Sequence, residues 1–218
     1  MIILSLVLII IFLVNYITFW TLLIKNSDRK SNFLNFYKKI FPIIWIICIN
    51  PIPIINSSFL GPYFNGNLSP LRQYWIWFMF LGIIFLAVGI KIYSLYKKIL
   101  NYERGEDWEE KEIKLITNGV YKIVRHPNYL AWLLIFLGST FILDSFISLI
   151  LVPLLVILME LNGILKEKHV LSPKYGEIYE KYKEKTPYRI ISPPYNYLLY
   201  LIAIFVVYIG FLNLEYII

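Results

Sequence analysis

The sequence predicts an all-α fold, a polytopic membrane bundle of about six transmembrane helices, and three observations predict it. The first is composition. Of 218 residues 59% are apolar, the mean hydropathy is +0.65 and only 16% are charged, whereas a soluble domain keeps charged residues at roughly a quarter. The second is the grouping of the apolar residues into six runs separated by short polar stretches. The third is charge sorting, because 20 of the 21 Lys and Arg fall in alternate connections. A net charge of +7 therefore needs no nucleic acid partner. Cys48 stands alone in an apolar run, which leaves no disulfide and no thiol metal site.

About twenty apolar residues cross the hydrocarbon layer, and each run is weighed against that length. The first extends from Met1 to Ile24 and lacks both a basic leader and a small-residue cleavage site, so it reads as a retained span. The second covers Ile40 to about Leu60 and is interrupted by Pro51 and Pro53, whose missing N–H groups predict a kinked or unwound outer half. The third, Tyr74 to Ile90, opens with Tyr74, Trp75 and Trp77, an aromatic set suited to the membrane interface. The fourth, from Tyr129 to Leu143, and the fifth, from Phe146 to Leu165, are separated by Leu143-Asp144-Ser145 and predict a tight helical hairpin. The sixth, Tyr197 to Leu212, follows Pro193-Pro194.

Charge then orients the bundle. Lys25 to Lys39, Lys91 to Arg125 and Lys166 to Arg189 hold all the basic residues but Arg72, so the positive-inside rule makes those connections cytoplasmic and both termini external. Asn56-Ser57-Ser58 and Asn67-Leu68-Ser69 are glycosylation sequons on the expected outer loop. The chain reads as one membrane domain: residues 1–70 supply two spans, 71–193 a core and 194–218 a last span.

Two cytoplasmic segments exceed what a connection needs. The first carries the acidic run Glu106-Asp107-Trp108-Glu109-Glu110, a solvated face, and closes on Leu115-Ile116 through Asn118-Gly119 to Arg125-His126-Pro127-Asn128-Tyr129. Pro127 suits the first turn of the fourth span, where free amide groups and Arg125 favour an anionic group. The alternative reading has Arg125 reaching lipid phosphates and Tyr129 as an interfacial aromatic.

The second segment follows the fifth span. Glu160 lies within the apolar run, Glu167 follows seven residues later on the same helix face, and Gly163 lies between them. An intramembrane carboxylate marks a functional hypothesis, with room over Gly163 for a cationic ligand. The plainer reading pairs Glu160 with a Lys or Arg near the interface. Tyr175, Tyr179 and Tyr182 follow at helical spacing, giving a short amphipathic helix that is either interfacial or a lid over a pocket.

The run Gly119-Val120-Tyr121-Lys122-Ile123-Val124-Arg125-His126-Pro127-Asn128-Tyr129 resembles the G-x-Y-x-x-x-R-H-P-x-Y signature of isoprenylcysteine carboxyl methyltransferases and their phospholipid methyltransferase relatives. Glu167, nine residues before Gly176, falls where that family begins its paired-glutamate motif. The resemblance covers roughly Arg72 to Pro193. It implies S-adenosylmethionine bound at the cytoplasmic end of the bundle and a lipid-borne acceptor entering from the bilayer, with no metal and no nucleic acid. Carried over by position, Leu115, Ile116, Tyr121, His126, Pro127, Asn128, Tyr129 and Glu167 line the cofactor site, and Arg125 and Glu160 serve catalysis. No glycine-rich strand-to-helix fingerprint marks a soluble Rossmann-type enzyme.

Three positions depart from the pattern: Lys168 stands for the second glutamate, Gly163 for an arginine and Ala131 for a glycine. The missing arginine is linked in the family to the acceptor's carboxylate. With Glu160 as a buried candidate base, the sequence points to a lipid amine, hydroxyl or thiol acceptor. A rival comes from another reaction class. Arg125 to Tyr129, with Lys174-Tyr175-Gly176 and Pro187-Tyr188-Arg189-Ile190, also resembles membrane sterol reductases that use NADPH. Those enzymes usually have more spans than this chain supplies.

Overall fold

A computed structural model describes residues 2–25, 32–57, 75–104 and 115–191, with the isolated positions Tyr197, Leu201, Ile204 and Tyr208. Among the described residues the regular structure is entirely helical. Helix α1 (Ile2–Lys25) is followed by α2 (Asn32–Ile49) and the short α3 (Pro51–Ile55). Then come α4 (Trp75–Arg104), a 3-10 turn at Gly119–Lys122, α5 (Pro127–Ile142) and α6 (Phe146–Lys166). A π turn (Glu167–Leu171), α7 (Ser172–Tyr175) and α8 (Glu177–Lys185) complete the order. Among the described residues three helical stretches are long and apolar enough to cross a membrane: Ile3–Lys25, Trp75–Tyr102 and Phe146–Tyr175. Lys39–Ile55 and Pro127–Ile142 are shorter apolar helices.

Five of the six expected spans thus appear as apolar helices. Of the sixth, only Tyr197, Leu201, Ile204 and Tyr208 are described; the acidic run 106–110, Ser58 of the first sequon, the second sequon and Arg72 lie outside the described residues. The second span breaks where its prolines require, with α2 ending at Ile49 and Pro51 opening α3. The third corrects the sequence reading, which stopped at Ile90. The helix continues to Arg104, because the first charge, Lys91, ends the apolar stretch and not the backbone hydrogen bonding.

Polar contacts at one end fix the alternation of the helices. Asn56 Nδ2 donates to Ser5 Oγ at 2.7 Å, Ser57 Oγ to the Leu143 carbonyl at 2.8 Å, and Trp75 Nε1 to the Ile142 carbonyl at 3.2 Å. The start of α1, the end of α3, the start of α4 and the α5–α6 turn therefore share one end. That turn is tight, with Asp144 in the left-handed region at φ 48°. The antiparallel order matches the alternation read from the charges.

The closest helix pair is α4 with α5. A methyl group added at Gly82 would lie 2.8 Å from the Gly138 carbonyl oxygen, and one added at Gly138 would lie 2.7 Å from that of Gly82. Two helical turns away, a methyl group added at Gly89 would lie 3.0 Å from the Ala131 carbonyl oxygen. Small residues let the two backbones touch, the packing that holds helices together in lipid, where apolar burial drives little. The α1–α2 pair packs instead through rings, Phe19 stacked on Phe41 at 4.0 Å and Phe12 edge-on to Trp45 at 4.7 Å. Opposite faces stay apolar and exposed, including Ile76, Trp77, Phe80, Ile83 and Ile84 on α4, as a lipid-facing surface requires.

Candidate active site

The site is built where α5 begins and α6 ends. Asn118-Gly119 makes the expected turn, with Gly119 at φ 56°, and the 3-10 turn leads through a buried Val124 to Arg125 and His126. Pro127 occupies the first turn of α5. From the other side, the π turn places Glu167 directly beneath them. The Glu167 carboxylate accepts four hydrogen bonds. Its Oε1 receives Arg125 Nε at 2.9 Å and His126 Nε2 at 3.0 Å; its Oε2 receives Arg125 Nη2 and Arg189 Nε, each at 3.3 Å. Arg125 Nη1 donates to the Thr186 carbonyl at 2.7 Å. Arg125, His126 and Glu167 are all buried.

A third strand of chain closes the cluster. The Arg125 N–H donates to the Tyr188 carbonyl at 3.0 Å and the His126 N–H to that of Arg189 at 2.8 Å. Two successive amides thereby hold residues 186–190 against the start of α5. Helix α8 covers the same face, with Tyr179 and Tyr182 turned inward and buried and Ile178 turned outward. Tyr182 Oη donates to the Tyr121 carbonyl at 2.7 Å, tying α8 to the 3-10 turn. The sequence placed Tyr175 in the same helical stripe. The structure separates it, because Gly176 adopts φ 52° and breaks the chain into α7 and α8.

Electrostatics follow from this burial. Loss of water pushes the His126 imidazole below its ordinary value, against the opposing pull of its Glu167 hydrogen bond. A neutral ring beside a carboxylate carries its proton on Nε2 and donates it. Burial, and next the Glu167 charge, push the Tyr179 phenol up. Burial does the same for Tyr182.

The expected site residues do not all play one part. Leu115 and Ile116 lie half-buried in the extended approach to the 3-10 turn, and Tyr121 is half-buried within it. Tyr129, one turn into α5, stacks under His126 at 5.1 Å between ring centroids. Asn128 Oδ1 is buried with no hydrogen-bond partner. Glu160 and Glu167 share a face as expected, since both reach Arg189, with Arg189 Nη1 3.8 Å from Glu160 Oε2. The space over Gly163 is filled from within the protein. A methyl group there would meet His126 Cδ2 at 3.2 Å and Arg189 Cδ at 3.4 Å. Arg189 and Thr186 join the site without having been assigned to it from sequence; Tyr179 and Tyr182, left open there between an interfacial helix and a lid, join it as well. The signal for Arg189 was present in Pro187-Tyr188-Arg189, but nothing in its spacing placed it against Glu160.

Residues 77–178 match the family model described as phospholipid methyltransferase. This segment is similar to that family. It holds the first signature, Glu167 and the first two residues of α8, while Arg189 lies beyond it. The chain is also similar to named methyltransferases. It is 34% identical over 77 residues to the protein-S-isoprenylcysteine O-methyltransferase of Schizosaccharomyces pombe, covering 35% of this chain and 33% of that one. It is 28% identical over 124 residues to protein-S-isoprenylcysteine O-methyltransferase B of Arabidopsis thaliana, covering 54% and 60%. With the Dictyostelium discoideum protein-S-isoprenylcysteine O-methyltransferase the identity is 27% over 130 residues, covering 49% and 53%. The matched region spans between a third and three fifths of these relatives' lengths. No solved structure matches the chain.

Proposed function

We propose that this integral membrane protein transfers a methyl group from S-adenosylmethionine to a lipid or prenylated acceptor at the cytoplasmic face of its membrane. The observation that carries the reading is the four-donor Glu167 carboxylate, which joins the Arg125-His126 signature to the second motif in one buried network. The donor chemistry fits as well. Asn128 Oδ1 is a buried acceptor without a donor, and S-adenosylmethionine offers N–H groups at its ammonium and adenine ends. Leu115, Ile116, Tyr121, His126, Pro127, Asn128, Tyr129 and Glu167 are the residues we assign to it. Bound there, the cofactor supplies an activated methyl group on a cationic sulfur, to which tyrosine faces such as Tyr121 and Tyr129 are attracted.

The chain's own part is alignment and exclusion of water. Glu167 fixes Arg125 and His126, Tyr129 supports the imidazole, and α8 closes over the cluster. Glu160 and Arg189 form the side nearest the apolar run of α6, where an acceptor with its tail in the bilayer presents its headgroup. Of the residues read as catalytic, Arg125 orients Glu167 and the 186–190 segment, and Glu160 belongs to the acceptor side. The core 71–193 then works within a single membrane domain whose termini are external.

Calorimetry on purified protein tests the reading. S-adenosylmethionine or its demethylated product should bind and NADPH should not, and Asn128→Leu should weaken that binding by roughly tenfold through loss of one hydrogen bond to a charged or polar donor. Binding of NADPH alone would replace the methyl-transfer reading with the reductase one.

A further inference from the structure

Two guanidinium groups meet at Glu167, and they are not equivalent. Arg125 directs Nε and Nη2 to Glu167 and Nη1 to the Thr186 carbonyl, and its side chain is 5% exposed. Arg189 donates only Nε to Glu167, at 3.3 Å, and its side chain is 35% exposed. Its Nη1 lies 3.8 Å from Glu160 Oε2, an ion pair too long for a hydrogen bond. The fork of Arg189 is therefore oriented but not saturated.

Its position gives that fork a direction. Glu160 lies about two turns above Glu167 along α6, inside the apolar run. Arg189 bridges the two carboxylates, so its outer nitrogens stand at the level where the polar site gives way to hydrocarbon. Gly163 makes the seat, since a side chain there would press on Arg189 Cδ and on the His126 ring. The cation is thus held beside His126 by shape as well as by charge. Glu160, itself 32% exposed, keeps Arg189 neutralised while no other anion is present.

We propose that Arg189 is a specificity-determining residue that reads an anionic group on the lipophilic acceptor, a carboxylate or a phosphate, with Glu160 as the internal anion that the acceptor displaces. This rests on the methyl-transfer reading for the acceptor's identity, while the recognition itself is a binding property. Exchange of one anion for another on a guanidinium leaves no uncompensated charge, and a bidentate contact replaces a long single one. A neutral headgroup has no such exchange to offer. The cation that the sequence lacks at position 163 is supplied across space by residue 189.

The test measures binding in a neutral sugar detergent, with S-farnesylcysteine, its carboxamide and dispersed phosphatidylethanolamine as probes. Wild type should bind the acid over the amide by at least ~10-fold, the scale of a charge-assisted hydrogen bond, and Arg189→Gln should abolish that preference. Glu160→Gln should act oppositely, tightening the acid several-fold by removing its competitor and leaving the amide unchanged. A purely structural role for the pair would not tighten anything. Competition by phosphatidylethanolamine that disappears in Arg189→Gln would identify a headgroup phosphate as the anion; competition by the acid alone would identify a carboxylate. Equal binding of acid and amide by wild type with no competition from phosphatidylethanolamine, or a Glu160→Gln variant that does not tighten the anionic probe wild type binds, would overturn the proposal. Cofactor binding is measured in parallel, so failure of wild type to bind S-adenosylmethionine would remove the methyl-transfer reading without deciding the role of Arg189.

Discussion

Glu167→Gln is nearly isosteric, yet the geometry makes it a severe change. Both carboxylate oxygens face donors only: Arg125 Nε and His126 Nε2 on one side, Arg125 Nη2 and Arg189 Nε on the other. A glutamine must turn its NH2 toward one pair or the other. On the first side His126 can shift its proton to Nδ1 and accept, but Arg125 Nε cannot. On the second side both neighbours are guanidinium N–H groups, although at 3.3 Å they are easier to push away. The amide therefore settles with its nitrogen toward Arg189, and a buried Arg125 loses its counter-charge. Breaking a buried pair from one side costs about 3–5 kcal/mol; with the two shorter hydrogen bonds, from Arg125 Nε and His126 Nε2, retained, about 3 kcal/mol is expected. Glu167→Ala should fall at the upper end of that range. Chemical unfolding in detergent, followed by helix signal, measures both. If Glu167→Gln were within about 0.5 kcal/mol of wild type, the ordinary range of surface substitutions, the four-donor network would be refuted.

Gly138→Ala should destabilise by about 1–3 kcal/mol, the usual range for overpacking, because its methyl group meets the Gly82 carbonyl and the Leu86 backbone N, both at 2.7 Å; the same assay reads it, and a neutral result would mean that α4 and α5 are not in backbone contact. Tyr182→Phe removes the 2.7 Å bond to the Tyr121 carbonyl and should cost about 1 kcal/mol, with proteolysis of the α8 segment accelerated. The pH dependence has a definite sign. Burial holds the folded-state pKa of His126 below 6.5, so the unfolded chain takes up the proton first. Stability from this group is complete above that value and declines as pH falls below it toward the folded-state pKa. Thermal unfolding between pH 8 and 5.5 should show the decline, and His126→Asn should reduce it; a wild type that gains stability on acidification would contradict a neutral His126.

The parts legible in sequence share a local physical cause. Apolar run length marked five helices, Pro51 and Pro53 marked the break before α3, and Leu143-Asp144-Ser145 marked the hairpin turn. The common face of Glu160 and Glu167 followed from seven-residue spacing. What escaped depended on contacts between distant segments. Gly163 reads locally as empty space, and only the tertiary fold shows that His126 and Arg189 fill it. The inward turn of Tyr179 and Tyr182 is set by what lies beneath α8, since a tyrosine stripe alone serves a membrane interface equally well. The extension of α4 to Arg104 was hidden because hydropathy reports where lipid stops, and a helix does not need lipid to continue.

The two amide bonds from Arg125 and His126 to the carbonyls of Tyr188 and Arg189 also impose an order on biogenesis. Arg125 and Glu167 are synthesised, and the α5–α6 hairpin can be inserted, before the residues that complete their hydrogen bonding have left the ribosome. A nascent chain stopped short of Thr186 holds the Arg125–Glu167 pair with the outer guanidinium nitrogen and both backbone donors still turned to water. The hydrogen-bond network is therefore completed only by residues that follow the α5–α6 hairpin in the chain. Insertion and completion of the site are separable in this chain, and a series of released chains truncated between residues 185 and 191 would divide them.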